Sequence, residues 1–327
     1  MIASLGGSAL VALTPRTAVS VEPSRCVRHR CSKNACTKCV DVCPTGAVTW
    51  NGGLDVDATV CTQCLRCLAV CPTAALSAPE LSLRRLLSDL AEHPLPVLGC
   101  HGQPDTEAHA RVACLGYLAD PEFMVLVALV FSSGLHVNLT ACADCSNGHI
   151  LDGIRTAHMS LDDLVPDHSI KLVRNQRELD FEEPSLSHRQ LFSHFRKHST
   201  RTAATVVSRL QGDERQYAYG DKLLPAMRVL LLKVLKESTA EHRRTIADRL
   251  FGEITFTSAC AGSRRCVGVC PTGAIQPVDD DEHPPDFDRD LCVSCGSCVA
   301  FCPNQGVLQL DLGIVDTVDK LGLENSA

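Results

Sequence analysis

The sequence predicts an α+β protein in which two cysteine-rich modules flank a small α/β domain and a helical region. The chain has 20 cysteines among 327 residues, and they are concentrated near its two ends. Each end contains an internal repeat, and the segment between them carries short apolar stretches of strand and helix type. The predicted boundaries are residues 20–80 for module one, 92–160 for the middle domain, 161–252 for the helical bridging region and 253–312 for module two.

The composition is that of a globular protein, with 45% hydrophobic and 21% charged residues. A net charge of −7 and an aromatic content of 4% argue against a general nucleic-acid binder, which needs basic surfaces and stacking platforms. The longest strongly apolar run, residues 123–135, is 13 residues long, whereas a membrane span needs about 20. The apolar stretch 2–13 has no charged n-region, so we expect a cytoplasmic protein without a membrane span.

Both modules are built from a repeated cysteine motif. The sequences CPTGAV, CPTAAL, CPTGAI and CPNQGV begin at Cys43, Cys71, Cys270 and Cys302. Each of these cysteines is preceded, four positions earlier, by another one: Cys39, Cys67, Cys266 and Cys298. Such a repeat marks a supersecondary unit used in pairs, so each end is predicted to be one two-fold module.

One run in each module follows the pattern C-x2-C-x2-C-x3-C-P without deviation. The runs are Cys61, Cys64, Cys67 and Cys71-Pro72, and Cys292, Cys295, Cys298 and Cys302-Pro303. This spacing closely resembles that of bacterial dicluster ferredoxins, so two ferredoxin-like dicluster modules are expected. In that family, three cysteines of a run bind one [4Fe-4S] cluster and the fourth reaches the other cluster.

The resemblance assigns two [4Fe-4S] clusters. One is expected on Cys61, Cys64, Cys67 and Cys43, and the other on Cys292, Cys295, Cys298 and Cys270. Metal ligation would also hold together modules that are too small to bury much apolar surface. The alternative is a zinc site, which usually combines two C-x2-C pairs without the proline-ended triplet.

The first half of module one departs from the pattern. Lys33 occupies the position of the first cysteine, while Cys31 lies two residues before it and Cys26 seven residues before it. A third [4Fe-4S] cluster is expected on Cys36, Cys39 and Cys71 with either Cys31 or Cys26. We favour Cys31 slightly, because it is the nearer of the two.

The first half of module two lacks a different ligand, because Ser263 stands where the middle cysteine is expected. Three thiolates remain: Cys260, Cys266 and Cys302. This arrangement resembles seven-iron ferredoxins, and the resemblance implies a [3Fe-4S] cluster at this position. A [4Fe-4S] cluster with a serine or water ligand and a site without a cluster are the alternatives.

The middle domain alternates strand-like and helix-like segments, which is typical of a small α/β unit with a parallel sheet. Strands are predicted at 95–100 and 136–140, and helices at 120–133 and 149–159. Asp120 is expected to cap the first helix, with Pro121 at its first position. Three cysteines then follow the carboxyl ends of strands, where such sheets bind ligands, and a fourth lies in a connection. They are Cys100, Cys142, Cys145 and Cys114.

The middle domain, over about residues 95–155, also resembles the delta subunit of methyl-viologen-reducing hydrogenase. The matching residues are Arg111, Val112, Cys114, Asp120, Pro121, Glu122, Phe123, Gly134, Cys142 and Cys145. The resemblance implies a [2Fe-2S] cluster on Cys100, Cys114, Cys142 and Cys145. It also implies electron transfer between a hydrogenase or formate dehydrogenase and a heterodisulfide reductase. A structural zinc ion, which four thiolates also suit, and reduced thiols without metal are the alternatives.

The cysteine-free stretch is predicted to be mainly helical, with helices at 187–210 and 223–251. The second helix has one apolar stripe: Leu223, Met227, Leu230, Leu231, Val234 and Leu235. The first is basic, which indicates either a solvated face or a docking surface for an acidic redox partner. The acidic segment 276–290 is expected to be a solvated loop, with a partner contact as the alternative.

No nucleotide-binding, P-loop, metalloprotease or nucleophile-elbow motif occurs in the sequence, and no catalytic residue is assigned. A cluster-rich protein without a substrate site is typically an electron conduit. We therefore expect a subunit that relays electrons within or to a larger oxidoreductase, of the molybdenum or tungsten formate dehydrogenase, hydrogenase or heterodisulfide reductase type. The alternatives are an iron–sulfur assembly or regulatory factor for such an enzyme, and an enzyme centred on the middle cysteines.

Overall fold

The computed structural model describes residues 19–78, 81–182, 222–260, 262, 264–279 and 283–310. Within these ranges the protein combines short helices and strands in a mixed fold, as predicted. No helix in the described ranges is long and apolar enough to cross a membrane. The predicted basic helix at 187–210 and Ser263 lie outside the described residues.

Module one consists of two small antiparallel strand pairs and three short helices. The strands are β1 (Ser20–Val21), β2 (Val48–Trp50), β3 (Leu54–Val56) and β4 (Leu76–Ser77). The helices are α1 (Val27–Arg30), α2 (Lys38–Asp41) and α3 (Arg66–Ala69). Strand β1 pairs with β4, and β2 pairs with β3. The β1–β4 pair brings the two ends of the module together.

The middle domain is built on a four-stranded sheet with all strands parallel, as predicted. The strands are β5 (Val97–Cys100), β6 (Ala110–Val112), β7 (Leu135–Asn138) and β8 (Ile170–Val173), in the order β6-β5-β7-β8. The helices are α4 (Leu83–Ala91), α5 (Pro121–Val130), α6 (Ile150–Met159) and α7 (Leu161–Leu164). Helix α4 precedes the predicted start of the domain and packs against β6, and strand β8 lies beyond the predicted end, because the crossover through α6 and α7 returns the chain to pair with β7.

The predicted helix at 223–251 is interrupted, which corrects the sequence expectation. The structure has two helices there, α8 (Ala226–Leu235) and α9 (Ala240–Leu250). The Thr239 side chain accepts a hydrogen bond of 3.2 Å from the backbone N–H of His242 and so caps the start of α9. The apolar stripe itself is buried along α8, with Leu223 half-buried just before the helix.

Module two repeats the plan of module one with a longer outer strand pair. The strands are β9 (Glu253–Phe256), β10 (Ile275–Gln276), β11 (Asp286–Phe287) and β12 (Val307–Leu310), and the helices are α10 (Arg265–Val269) and α11 (Ser297–Phe301). Strand β9 pairs with β12, and β10 pairs with β11, both antiparallel. The predicted acidic segment therefore contributes to the β10–β11 hairpin, with residues 280–282 outside the described ranges.

Helix α5 lies at the centre of the hydrophobic core. Its residues 123–128 are all buried, so this helix is apolar on every side and is covered on every side. It packs against α6 and α7 and against α8 of the bridging region. The helix begins as predicted: the Asp120 carboxylate accepts a hydrogen bond of 2.9 Å from the N–H of Glu122, and Pro121 occupies the first position.

Asp120 is a half-buried residue at the start of α5. Burial, and to a smaller extent repulsion from the Glu122 carboxylate, raises the pKa of Asp120 well above its ordinary value. The folded protein therefore binds this proton more tightly than the unfolded chain does. This contribution to stability is complete below pH 3.8 and is lost as the pH rises through the raised folded-state pKa.

Module one contacts the middle domain through closely packed backbone. The 3₁₀ turn Leu115–Ala119 lies against both α3 and α6. A Cβ atom added at Gly116 would overlap the carbonyl oxygen of Cys64 and come within 2.9 Å of a methyl carbon of Ile150. A Cβ atom at Gly153 of α6 would likewise overlap the Arg66 guanidinium. Glycine at these two positions lets the cysteine loop of module one approach the middle domain.

We expect Gly116→Ala to lower the free energy of unfolding by about 1–3 kcal/mol, because the added methyl group displaces the Cys64 loop. Anaerobic urea unfolding of the full chain measures this change. The control is Gly268→Ala on α10, where an added Cβ atom meets nothing within 4 Å and should not destabilise the protein. An equal unfolding midpoint for Gly116→Ala and the parent protein would contradict the close packing.

We expect Asp120→Asn to flatten the pH dependence of stability, since asparagine keeps the helix cap but carries no titrating proton. The variant should gain stability over the parent as the pH rises from 3.8 to about 8, because over this range the parent carboxyl group stays protonated in the folded protein but ionises on unfolding. Urea midpoints across this range give the slope. Asp89→Asn, which removes an exposed carboxylate from α4, is the control. Identical slopes for Asp120→Asn and the parent would refute the raised pKa.

Candidate iron–sulfur sites

The structure gathers 19 of the 20 cysteines into five groups of converging side chains. We name the four larger groups the Cys64 group (Cys43, Cys61, Cys64, Cys67), the Cys36 group (Cys26, Cys36, Cys39, Cys71), the Cys295 group (Cys270, Cys292, Cys295, Cys298) and the middle group (Cys100, Cys114, Cys142, Cys145). The fifth, the Cys266 group, contains Cys260, Cys266 and Cys302.

The Cys64 and Cys295 groups correspond to the two regular runs. In each of them, three cysteines on one loop are joined by the Cys-Pro cysteine of the other repeat. The two loops also share an unusual backbone. Gln63 and Leu65 have φ values of 56° and 62°, and Ser294 and Gly296, at the equivalent positions, have 51° and 70°. The same spacing thus produces the same left-handed turns in both modules.

The Cys36 group contains Cys26 and not Cys31. Cys26, Cys36, Cys39 and Cys71 line one cavity, and the thiols of Cys26 and Cys39 interact electrostatically with those of Cys36 and Cys71. Cys31 is 1% exposed but does not line this cavity. Helix α1, which separates the two cysteines, begins directly after Cys26 and ends before Cys31. The structure therefore groups the more distant of the two sequence candidates.

The Cys266 group brings together the three cysteines that remain in the first half of module two. Burial, and to a lesser extent the thiols of Cys260 and Cys302, raise the pKa of Cys266, against backbone hydrogen bonding that lowers it. Cys302 also accepts a hydrogen bond of 3.2 Å from the N–H of Gly306. The group therefore offers three thiols to a metal centre.

The middle group forms where the sequence predicted it, at the carboxyl edge of the parallel sheet. Cys100 ends β5, and Cys114 lies just after β6. Cys142 and Cys145 follow β7, and Asn147 donates its backbone N–H to Cys145 Sγ at 3.5 Å. Its side-chain amide reaches both Cys114 Sγ, at 3.8 Å, and the carbonyl oxygen of Thr62 in module one, at 3.1 Å. The middle group therefore lies directly beside module one.

The four Cys-Pro repeats have a common backbone turn. The third residue after each cysteine has a positive φ; these residues are Gly46, Ala74, Gly273 and Gln305. In two of the repeats the next N–H points back at the sulfur, from Ala75 to Cys71 and from Gly306 to Cys302, both at 3.2 Å. Such hydrogen bonds hold a thiolate in place and help to set the reduction potential of a cluster bound to it.

The donor set fits a cationic cluster. Burial, followed by the neighbouring thiols, raises the pKa of Cys39, Cys67 and Cys298 to about 12. Several thiolates in one buried site need positive charge to balance them, and bound metal ions supply it. The protein groups alone therefore favour neutral thiols, and metal binding is the chemistry that converts them into thiolates.

Arg228 is a buried cation beside the Cys295 group that sequence reasoning missed. It is 1% exposed and donates to the carbonyl oxygens of Cys292, at 2.8 Å, and Asp290, at 3.0 Å. Glu122 of α5 accepts a hydrogen bond of 2.8 Å from Arg228 Nε, and the guanidinium stacks 3.9 Å from the ring centre of Phe251. Arg228 thus fastens module two to the middle domain. In the sequence, Arg228 lies directly beside Met227 and three residues before Leu231 of the apolar stripe, and this position was the only indication that it is buried.

Comparison with known proteins supports iron–sulfur cluster binding in module two. Residues 259–307 match the family described as a 4Fe-4S dicluster domain. The polyferredoxin protein MvhB of Methanothermobacter marburgensis is 35% identical over 77 residues, which are 21% of this chain and 18% of that protein. A subunit of the ion-translocating oxidoreductase complex of Methanosarcina acetivorans is 38% identical over 48 residues, 15% of this chain and 17% of that subunit. No solved structure matches the chain.

The chain spans less than a fifth of the length of these two relatives. A much shorter relative, ferredoxin 7Fe of Hydrogenibacillus schlegelii, is 35% identical over 58 residues, which are 17% of this chain and 70% of that ferredoxin. The regular cysteine loops, the match to the dicluster family and the similarity to this short ferredoxin all indicate the same family. The chain therefore belongs to the ferredoxin family of iron–sulfur electron-transfer proteins, through a 4Fe-4S dicluster domain.

Proposed function

We propose that the protein is a multicluster electron relay that serves a larger oxidoreductase. The observation that carries this proposal is the convergence of 19 cysteines into five neighbouring groups. Successive groups lie beside one another: Cys114 of the middle group interacts with Cys64, and Cys67 of the Cys64 group interacts with Cys39. A protein with a single redox centre would not need such a series.

The proposed cofactors are three [4Fe-4S] clusters, one [3Fe-4S] cluster and one [2Fe-2S] cluster. The [4Fe-4S] clusters belong to the Cys64, Cys36 and Cys295 groups, each of which offers four thiols. The [3Fe-4S] cluster belongs to the Cys266 group, which offers three, and the similarity to a relative named as a seven-iron ferredoxin supports it. The [2Fe-2S] cluster belongs to the middle group, which offers four neighbouring thiols, and a structural zinc ion is the alternative there.

Iron–sulfur clusters supply one-electron oxidation and reduction, while the residues of this chain decide where and how easily it happens. Burial of cysteines such as Cys67 and Cys298 limits the access of water and oxygen. Backbone N–H groups at Ala75 and Gly306 hold individual sulfurs. The Arg228 guanidinium adds positive charge near Cys292 and favours the more negative, reduced state of the Cys295 group.

The proposed partner is a redox enzyme complex. Two relatives are named as a polyferredoxin and as a component of an ion-translocating oxidoreductase complex, which supports a partner of this broad class. Within it, we propose a molybdenum or tungsten formate dehydrogenase, a hydrogenase or a heterodisulfide-reductase-type enzyme, as the resemblance of the middle domain implies. A cytoplasmic location for the complex is part of this proposal.

The relay is tested by purifying the full chain without oxygen, counting iron, sulfide and zinc, and recording EPR spectra before and after dithionite. We expect about 15–17 irons, a [3Fe-4S] signal before reduction and interacting [4Fe-4S] signals after it. Reduction should be reversible, since a relay returns to its starting state. About 8 irons with zinc in the remaining groups would contradict the relay and favour an assembly or regulatory factor.

The ligand assignment in the Cys36 group is tested by Cys26→Ala, with Cys31→Ala as the matched control. We expect Cys26→Ala to lower the iron content by between about one and about four per chain, because the Cys36 group loses a ligand. Cys31→Ala should keep the full iron content and the parental EPR spectrum. The opposite pattern, with iron lost only from Cys31→Ala, would move the assignment back to Cys31.

A further inference from the structure

Asn34 is a buried side chain of module one that bonds directly to module two. Its Nδ2 donates hydrogen bonds to the carbonyl oxygen of Cys295, at 2.9 Å, and to Oγ of Ser297, at 3.0 Å. Its Oδ1 accepts a hydrogen bond of 2.9 Å from the backbone N–H of Cys36. Asn34 is 6% exposed and Ser297 is 1% exposed, so water does not compete strongly for these bonds.

This contact joins the loops of two different cysteine groups. Cys36 belongs to module one, and Cys295, 261 positions after Asn34 in the sequence, belongs to module two. The amide is suited to this place, since its oxygen takes the Cys36 donor and its two N–H groups serve the two acceptors. An aspartate would lack the donors, and an apolar side chain would leave three buried polar groups without this partner.

We propose that Asn34 is the positioning residue of the junction between the modules, where electrons cross from the Cys36 group to the Cys295 group. This inference rests on the proposed relay and gives it an order. The middle group is at one end, followed by the Cys64, Cys36 and Cys295 groups, with the Cys266 group at the other end. Asn34 holds the two central loops at a fixed separation, and electron transfer between buried centres weakens steeply with distance.

The proposed step is the transfer of one electron between two centres, and it needs no other reactant. The centre on one side is oxidised by one electron while the centre on the other side is reduced by one electron. No bond breaks and no proton is transferred. In the test below, dithionite is the external reductant that supplies the electrons.

The experiment compares Asn34→Asp and Asn34→Ala with the parent chain. Asn34→Asp keeps an acceptor for the Cys36 N–H but places a carboxylate against the carbonyl oxygen of Cys295. The substitution should therefore weaken the contact between the modules while leaving the Cys36 loop of module one in place. Asn34→Ala removes all three bonds. The matched control is Lys33→Ala, which removes a neighbouring contact with module two, 5.5 Å from Lys33 Nζ to the ring centre of Phe301, but no bond between the loops.

We expect Asn34→Asp to bind as much iron as the parent while losing the magnetic interaction between the reduced centres of the two modules. The rate of electron transfer between the modules is measured by rapid mixing with limiting dithionite. We expect this rate to fall by about tenfold or more, because small displacements of reacting partners carry large rate costs. Asn34→Ala should show the same loss, and Lys33→Ala should retain the parental interaction and rate.

Two results would overturn the inference, and they are distinguishable. If the parent reduces reversibly and shows the interaction, but both Asn34 variants keep its spectrum and rate, then the relay stands and Asn34 is not its junction. If the centres of the parent cannot be reduced at all, the relay fails and this inference fails with it. A stability loss with an unchanged interaction belongs to the first case, because it marks a purely structural residue.

Discussion

The burial of converging thiols is the constraint on which the rest of this structure depends. Protein groups alone make these thiols difficult to ionise, with the pKa of Cys39, Cys67 and Cys298 raised to about 12. Metal ligation reverses this preference and contributes to folding at the same time. The modules therefore need little apolar core of their own, and their strands are only two to four residues long.

The same local backbone turn recurs at all four Cys-Pro repeats. The residue three positions after each Cys-Pro cysteine adopts a positive φ, whether it is glycine, as at Gly46 and Gly273, or not, as at Ala74 and Gln305. Non-glycine residues in this region carry strain, and they persist where the surroundings determine the turn. Here the turn directs an N–H at a cysteine sulfur, so the strained residues lie where sulfur positions matter most.

The arrangement of the groups in a series comes from packing between domains. Gly116 lets the Cys64 loop touch the middle domain, Arg228 ties module two to Glu122 of α5, and Asn34 joins the two modules. These three contacts are of different kinds: bare backbone, a buried ion pair and an amide bridge. A buried ion pair is weak evidence of stability but strongly disfavours separation of its partners. Helix α5 supports the first two of these contacts, because the turn that carries Gly116 packs against it and its Glu122 accepts from Arg228.

The sequence by itself determined the local features. The spacing of Cys61, Cys64 and Cys67 predicted a cysteine loop, and alternating apolar stretches predicted the parallel sheet with cysteines at its carboxyl edge. Only the tertiary structure placed Cys26, and not the nearer Cys31, beside Cys36 and Cys71, because helix α1 separates the two cysteines. Thr239, Arg228 and Asn34 escaped sequence reasoning for a related reason. Capping, charge pairing and bridging depend on which residues lie nearby in space, and separations such as the 261 positions between Asn34 and Cys295 leave no local pattern.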